Sequence, residues 1–181
     1  EVTGSGHQYF DGGDGNDTLI SGAGFDTING GAGNDTFTFA ANMSLSDNVD
    51  GGDGTDTITA TLSAGTANQK IGTVTNVENI TLDFDQTAGS FNASGGSFTL
   101  ITTTEGATGT SDVSINNLSS SQTVRITDGA ADYDDVALDY AADATATIQL
   151  GDSATVVTDD VSVTDAQTVN ITTRGGTDTT T

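Results

Sequence analysis

Between residues 12 and 59, single apolar side chains return at nine-residue intervals: Leu19, Ile28 and Phe37, then Ile58 after an insertion. Each is the middle member of a short run, so it points inward while its neighbours point out, the period-two alternation of a strand. Farther on, Val77-Glu78-Asn79-Ile80-Thr81-Leu82-Asp83-Phe84 alternates over its whole length. Apolar doublets then recur at Phe98/Leu100, Val113/Ile115, Val124/Ile126, Val136/Leu138, Ile148/Leu150, Val161/Val163 and Val169/Ile171, many of them 11 or 12 residues apart. Short strands at that interval predict an all-β chain with turns at Asp112, Asp128-Gly129, Asp143 and Gly151-Asp152. No window carries a helical period, and Thr and Asp are poor helix formers.

The residues between the early apolar positions repeat as well. Gly12-Gly13-Asp14-Gly15-Asn16-Asp17-Thr18-Leu19-Ile20 is followed by Ser21-Gly22-Ala23-Gly24-Phe25-Asp26-Thr27-Ile28-Asn29 and by Gly30-Gly31-Ala32-Gly33-Asn34-Asp35-Thr36-Phe37-Thr38. A fourth copy, Gly51-Gly52-Asp53-Gly54-Thr55-Asp56-Thr57-Ile58-Thr59, comes after the insertion Ala40–Asp50. A degraded copy, Thr3 to Asp11, precedes them with Gln8 at the sixth position. The unit is G-G-x-G-x-D-x-U-x, with U apolar. Glycines allow positive φ and close backbone approach, so loop carbonyls can converge on one point. A calcium ion takes roughly six to eight oxygens, and carbonyls of the glycine positions with the carboxylate of the sixth residue suit it.

Charge points the same way. The chain has 26 Asp+Glu against 3 Lys+Arg, a net charge of −23, and only Glu1, Glu78 and Glu105 are glutamate. Such a surface repels nucleic acid and anionic membranes. A hydrophobic fraction of 33 % is low for a self-sufficient core, and the absence of Cys excludes disulfides, thiol catalysis and thiolate metal sites. One inward residue per three-residue strand gives a thin core. Divalent cations on the loop edges would supply the missing stability.

This segment, residues 3–59, resembles the RTX family, whose secreted proteins fold glycine-rich nonapeptides into a right-handed parallel β-roll. The resemblance implies calcium bound between loops two units apart, because alternate loops share an edge. The candidate ligands are Gly12, Gly13, Asp14, Gly15 and Asp17; Gly22, Gly24 and Asp26; Gly30, Gly31, Gly33 and Asp35; and Gly51, Gly52, Asp53, Gly54 and Asp56. Counting half-turns puts loops 12–17, 30–35 and 51–56 on one edge, with Asp35 shared between Asp17 and Asp56. Asp26, on the other edge, has Gln8 below it and would draw on Asn42 or Asp47 above.

Other motifs fail on their residues. An EF-hand starting at Asp11 meets Gly13 and Gly22 where oxygen side chains belong, and Gly13-x-Gly15 and Gly22-x-Gly24 are followed by Thr18 and Thr27 where a dinucleotide loop needs glycine. His7 reads as an exposed loop residue of the degraded unit. Asp83 and Asp85 could be paired carboxylates but read as the solvated face of a strand whose other face holds Ile80, Leu82 and Phe84. There is no G-x-S-x-G, and triplets such as Asn79-Ile80-Thr81 are assigned no role.

Composition shifts near residue 60, which divides the chain into a calcium-binding β-roll, 1–60, and a Thr/Asp-rich β region, 61–181, packed on it. The second region reads as a broader parallel solenoid covering the open end of the roll, with an antiparallel sandwich as the alternative. The order of a G-G-x-G-x-D-T-I unit, a Thr/Ala spacer and the Val77 to Leu82 strand resembles the lattice-forming part of RTX-type bacterial surface-layer proteins. That resemblance implies type I secretion, a location on the surface of a Gram-negative cell, and calcium-dependent assembly of identical copies. The expected partner is therefore a homo-oligomer, with no nucleic acid, membrane insertion or small-molecule substrate, and no enzyme activity. The alternative is the calcium-binding accessory region of a secreted RTX enzyme, toxin or adhesin. Asp132, Asp134 and Asp135, and Asp159 with Asp160, are candidate bridging clusters. The start at Glu1 and the Thr177 to Thr181 end, which lacks an apolar export signal, read as a piece of a longer polypeptide.

Overall fold

A computed structural model describes residues 6–41, 43–62, 69–84, 89–105, 112–127, 135–151 and 160–173. The strands are β1 (Tyr9–Asp14), β2 (Thr18–Ser21), β3 (Thr27–Ala32), β4 (Thr36–Phe39), β5 (Asn48–Asp53), β6 (Thr57–Leu62), β7 (Thr73–Thr75), β8 (Asn79–Phe84), β9 (Gly89–Asn92), β10 (Leu100–Glu105), β11 (Val113–Leu118), β12 (Thr123–Thr127), β13 (Asp135–Leu150) and β14 (Asp160–Thr173). Among the described residues there is no helix, so none is long and apolar enough to cross a membrane.

Odd and even strands fall on opposite faces of a solenoid. One face runs β1-β3-β5-β7, and the other runs β2-β4-β6-β8-β10-β12 into β13. Beyond β7 the first face resumes with β9 and β11, joined to it by a bridge between Gln69 and Phe91. The long β13 serves both faces: Val136 to Leu138 pair with β11, and Thr147 to Leu150 pair with β12. β14 follows β13 along both halves. Every pairing among these strands is parallel, so the antiparallel sandwich is excluded and the Thr-rich strands continue the solenoid.

The core is a set of stacked columns. Leu19, Phe37, Ile58, Ile80, Ile101, Val124 and Ile148 are successive register partners, and all are buried. A second column on the same face holds Ser21, Phe39, Ala60, Leu82, Thr103, Ile126 and Leu150, so each of these strands buries at least two residues where the repeat predicted one. Phe10, Ile28, Val49 and Val74 face them from the opposite sheet. Sequence separation between stacked residues grows along the axis, from 18 at Asp17 and Asp35 to 24 at Arg125 and Gln149. The half-coil spacing of 11 or 12 residues read from the doublets is half of this longer coil.

Three local expectations are corrected. Phe98 is buried at a corner before β10, while Leu100 pairs with Asn79 and Thr123 on the outward side, so β10 buries Ile101 and Thr103. The β8 strand starts at Asn79, leaving Val77 and Glu78 in the preceding corner. Asp143 does turn the chain, with φ 63, but as a corner within β13 where its register shifts; Asp165, φ 61, does the same in β14. The expected turns at Asp128-Gly129 and Asp152 lie outside the described residues, whereas Gly151 has the positive φ of a turn.

Candidate calcium sites

Three of the four sixth-position aspartates lie in one column. Asp17, Asp35 and Asp56 close the loops that join β1 to β2, β3 to β4 and β5 to β6. The Asp17 N–H donates to Asp35 Oδ1 (2.8 Å), and the Asp35 N–H donates to Asp56 Oδ1 (2.7 Å). Asp35 and Asp56 therefore each use one oxygen to hold the preceding coil. The Oδ2 atoms of all three are buried with no hydrogen-bond partner. A buried, unpartnered carboxylate oxygen is strongly unfavourable unless a cation sits against it.

A backbone carbonyl shares the space beside each of these oxygens. Asp17 Oδ2 and the Gly30 carbonyl both lie against the Gly12 Cα; Asp35 Oδ2 and the Gly51 carbonyl lie against Gly30 in the same way. A side chain at Gly12 or Gly30 would collide with these oxygens, so the first glycine of the unit is required by close approach. Gly33 and Gly54 add a second requirement: each has a positive φ, 130 and 143, and stacks its Cα over the carbonyl of the glycine one coil below.

The other edge is built differently. Asp26 Oδ1 accepts from the Gln8 N–H (3.1 Å) and its Oδ2 from the Ser21 hydroxyl (2.7 Å). Asp47 stacks above it, with Oδ1 accepting from the Asp26 N–H (2.9 Å) and Oδ2 from the Ser44 N–H (2.8 Å). Both carboxylates are buried, and both oxygens of each are bonded within the chain. Asp47 is thus the residue above Asp26, while Asn42 lies outside the described residues. Gly22 and Gly24 belong to this edge, where Gly24 packs on the Gly6 carbonyl.

Not every candidate joins a column. Asp14 and Asp53 are exposed on the outer rim, as is Gly15, while the backbone of Gly13, Gly31 and Gly52 runs in register between coils. Outside the column, Asn16 Oδ1 accepts from the Asn34 N–H and Asn34 Oδ1 from the Thr55 N–H, so the fifth position forms an exposed ladder of its own. His7 is exposed and packs its ring on Phe25. Asp83 lies on the outward side of β8, and Asp85 lies outside the described residues. Sequence reasoning missed Glu78, whose Oε2 accepts from the Asp56 N–H at 2.8 Å.

Among the described residues no three of His, Cys, Asp and Glu converge as a metal site, so an ion on this edge would draw on backbone carbonyls as well as carboxylates. That is the donor set of calcium, a hard cation ligated by oxygen. The family model of the RTX calcium-binding nonapeptide repeat matches residues 4–41 and 45–64, in four copies. These coils are RTX calcium-binding repeats. No curated protein and no solved structure matches the chain. The RTX match covers the coils that carry Asp17, Asp26, Asp35 and Asp56, and the orphaned Oδ2 atoms of Asp17, Asp35 and Asp56 fit a bound cation. The coils of residues 4–41 and 45–64 are accordingly a calcium-binding structural module, and RTX repeats of this kind occur in secreted bacterial proteins.

Proposed function

We propose that this module stiffens and assembles a bacterial surface layer: calcium locks the RTX coils, and identical copies associate into a two-dimensional lattice on the surface of a Gram-negative cell. The observation that carries the reading is the unbroken pairing of β6, β8 and β10 across the end of the repeats. Rigidity gained at the calcium edge passes directly into the Thr-rich coils, which suits a structural element better than an appendage to a catalytic domain. Charge supports a calcium-dependent association. At −23, identical copies repel, and divalent cations held between surface carboxylates would reverse that. Asp135 and Asp160 are exposed register partners at the starts of β13 and β14, a pair of like charges set side by side. The other members of those clusters, Asp132, Asp134 and Asp159, lie outside the described residues. Electron microscopy and light scattering with calcium added and then chelated test the reading. Sheets or large oligomers that dissolve on chelation are expected. A monomer at every calcium concentration would reject the lattice and select the accessory region of a secreted RTX enzyme, toxin or adhesin.

A further inference from the structure

We infer that Glu78 closes a further calcium position above the last glycine-rich loop, beyond the residues that the repeat itself specifies. The inference rests on the calcium reading of the Asp17, Asp35 and Asp56 column. Glu78 continues that column in its bond to the coil below. Its Oε2 accepts from the Asp56 N–H at 2.8 Å, as Asp35 Oδ1 does from Asp17 and Asp56 Oδ1 from Asp35. Asp56 is fully buried, and its Oδ2 has no partner. That oxygen and the Asn76 carbonyl lie against the Gly51 Cα, as Asp35 Oδ2 and the Gly51 carbonyl lie against Gly30. Asn76 thus replaces the first glycine of a repeat, and Glu78 replaces its aspartate.

Asp50 pairs with Thr75, which sets Asn76 opposite Gly51, yet the chain reaches its column carboxylate at Glu78 after a much shorter corner than the loop from Gly51 to Asp56. The backbone nonetheless stays in register: the Asn79 N–H donates to the Asp56 carbonyl (3.0 Å) as the Thr57 N–H does to that of Asp35 (2.9 Å), so Glu78 stands directly above Asp56. The short corner also lacks the second and third glycines of a repeat, so it offers fewer carbonyls from above. The resulting site is held by Asp56 and its loop from below and by Glu78 and Asn76 from above. With a smaller donor set it binds calcium more weakly than the positions between complete repeats.

Calcium alone, titrated into the whole chain and counted by native mass spectrometry and calorimetry, decides the matter. Glu78→Gln keeps an oxygen to accept from the Asp56 N–H but removes the charge, so a purely structural cap would leave ion binding unchanged. The expected result is one fewer calcium per chain, or a last ion weakened by about tenfold or more, with the tighter ions retained. If Glu78→Gln does not fold, Glu78→Asp keeps the charge and withdraws the oxygen, and the same weakening of the last ion is expected. Parental count and affinities in the folded variant overturn the inference. A parent chain that takes up no calcium instead overturns the reading on which it rests.

Discussion

The Asp35 N–H donates to Asp56 Oδ1 across 2.7 Å, while Asp56 Oδ2 is buried with no partner. One carboxylate therefore does two things: it fastens the coil below and presents an uncompensated charge to the space beside Gly51. A cation that fills that space removes the cost of burying the charge and leaves the fastening intact.

Chelation should accordingly unfold or loosen the roll. An ion that binds only the folded chain, present at about 100 times its Kd, adds about 2.7 kcal/mol of stability. Two such ions between Asp17, Asp35 and Asp56 would add roughly 5 kcal/mol, which for a chain of this size moves Tm by about 10–20 °C. Circular dichroism melts with calcium and with EGTA check this; equal Tm and equal β content would contradict it.

Asp35→Ala and Asp26→Ala should differ in kind. Asp35 faces both Asp17 and Asp56, so its removal should disturb two ions. Asp26 has both oxygens bonded within the chain, so Asp26→Ala should cost at most one ion, while leaving the Gln8 N–H and the Ser21 hydroxyl without their acceptor, a destabilisation of about 1–3 kcal/mol. Calcium stoichiometry by native mass spectrometry separates the two; the same loss in both variants would refute the difference between the edges.

Acid should stabilise the calcium-free fold. Burial pushes the Asp56 carboxyl above the ordinary aspartate range; the hydrogen bond from the Asp35 backbone opposes this, and the charges of Asp35, Glu78 and Asp50 add to it. A carboxyl with a raised folded pKa binds its proton more tightly when folded, so the penalty is present above that pKa and is relieved as pH falls through it. In metal-free buffer the urea midpoint should rise as pH falls from neutrality toward the carboxylate range, and Asp56→Asn should flatten the slope. With calcium bound the sign reverses, because protons compete for the ligand oxygens.

Core position should outweigh chemistry along a column. Phe37→Ala, in the fully buried register between Leu19 and Ile58, should cost about 3–5 kcal/mol at saturating calcium. Ile171→Ala, on β14 with half its side chain exposed, should cost about 1 kcal/mol or less. Urea denaturation of the two variants measures the difference.

The nine-residue recurrence made the roll, its inward residues and its column aspartates legible, because each coil there repeats one template. Legibility failed where the coil lengthened. Leu100 looks like a core partner of Phe98, but the residue after the corner resets the alternation, and Ile101 takes the inward place. Glu78 escaped notice because a template built on G-G-x-G-x-D cannot align a short corner. The signal was present in Glu78-Asn79-Ile80-Thr81 set against Asp56-Thr57-Ile58-Thr59, 22 residues earlier. Two buried residues per strand, as with Phe37 and Phe39, were partly hidden because Ser21 and Ala60 occupy the second column in neighbouring coils.

The two ladders on the calcium edge run in opposite directions. In the carboxylate column each amide is satisfied by the coil that follows it, and the Asp35 to Asp56 bond is buried. In the asparagine ladder each amide is satisfied by the coil before it, and the bonds are exposed, so water can replace a missing acceptor. Removing the acceptor above the Asp35 loop thus strands a buried amide, while removing an acceptor of the asparagine ladder strands one that solvent can reach. A coil of this roll therefore borrows acceptors from both neighbours: the Asp35 N–H is capped by the coil above and the Thr36 N–H by the coil below, so either end of the stack leaves backbone donors open.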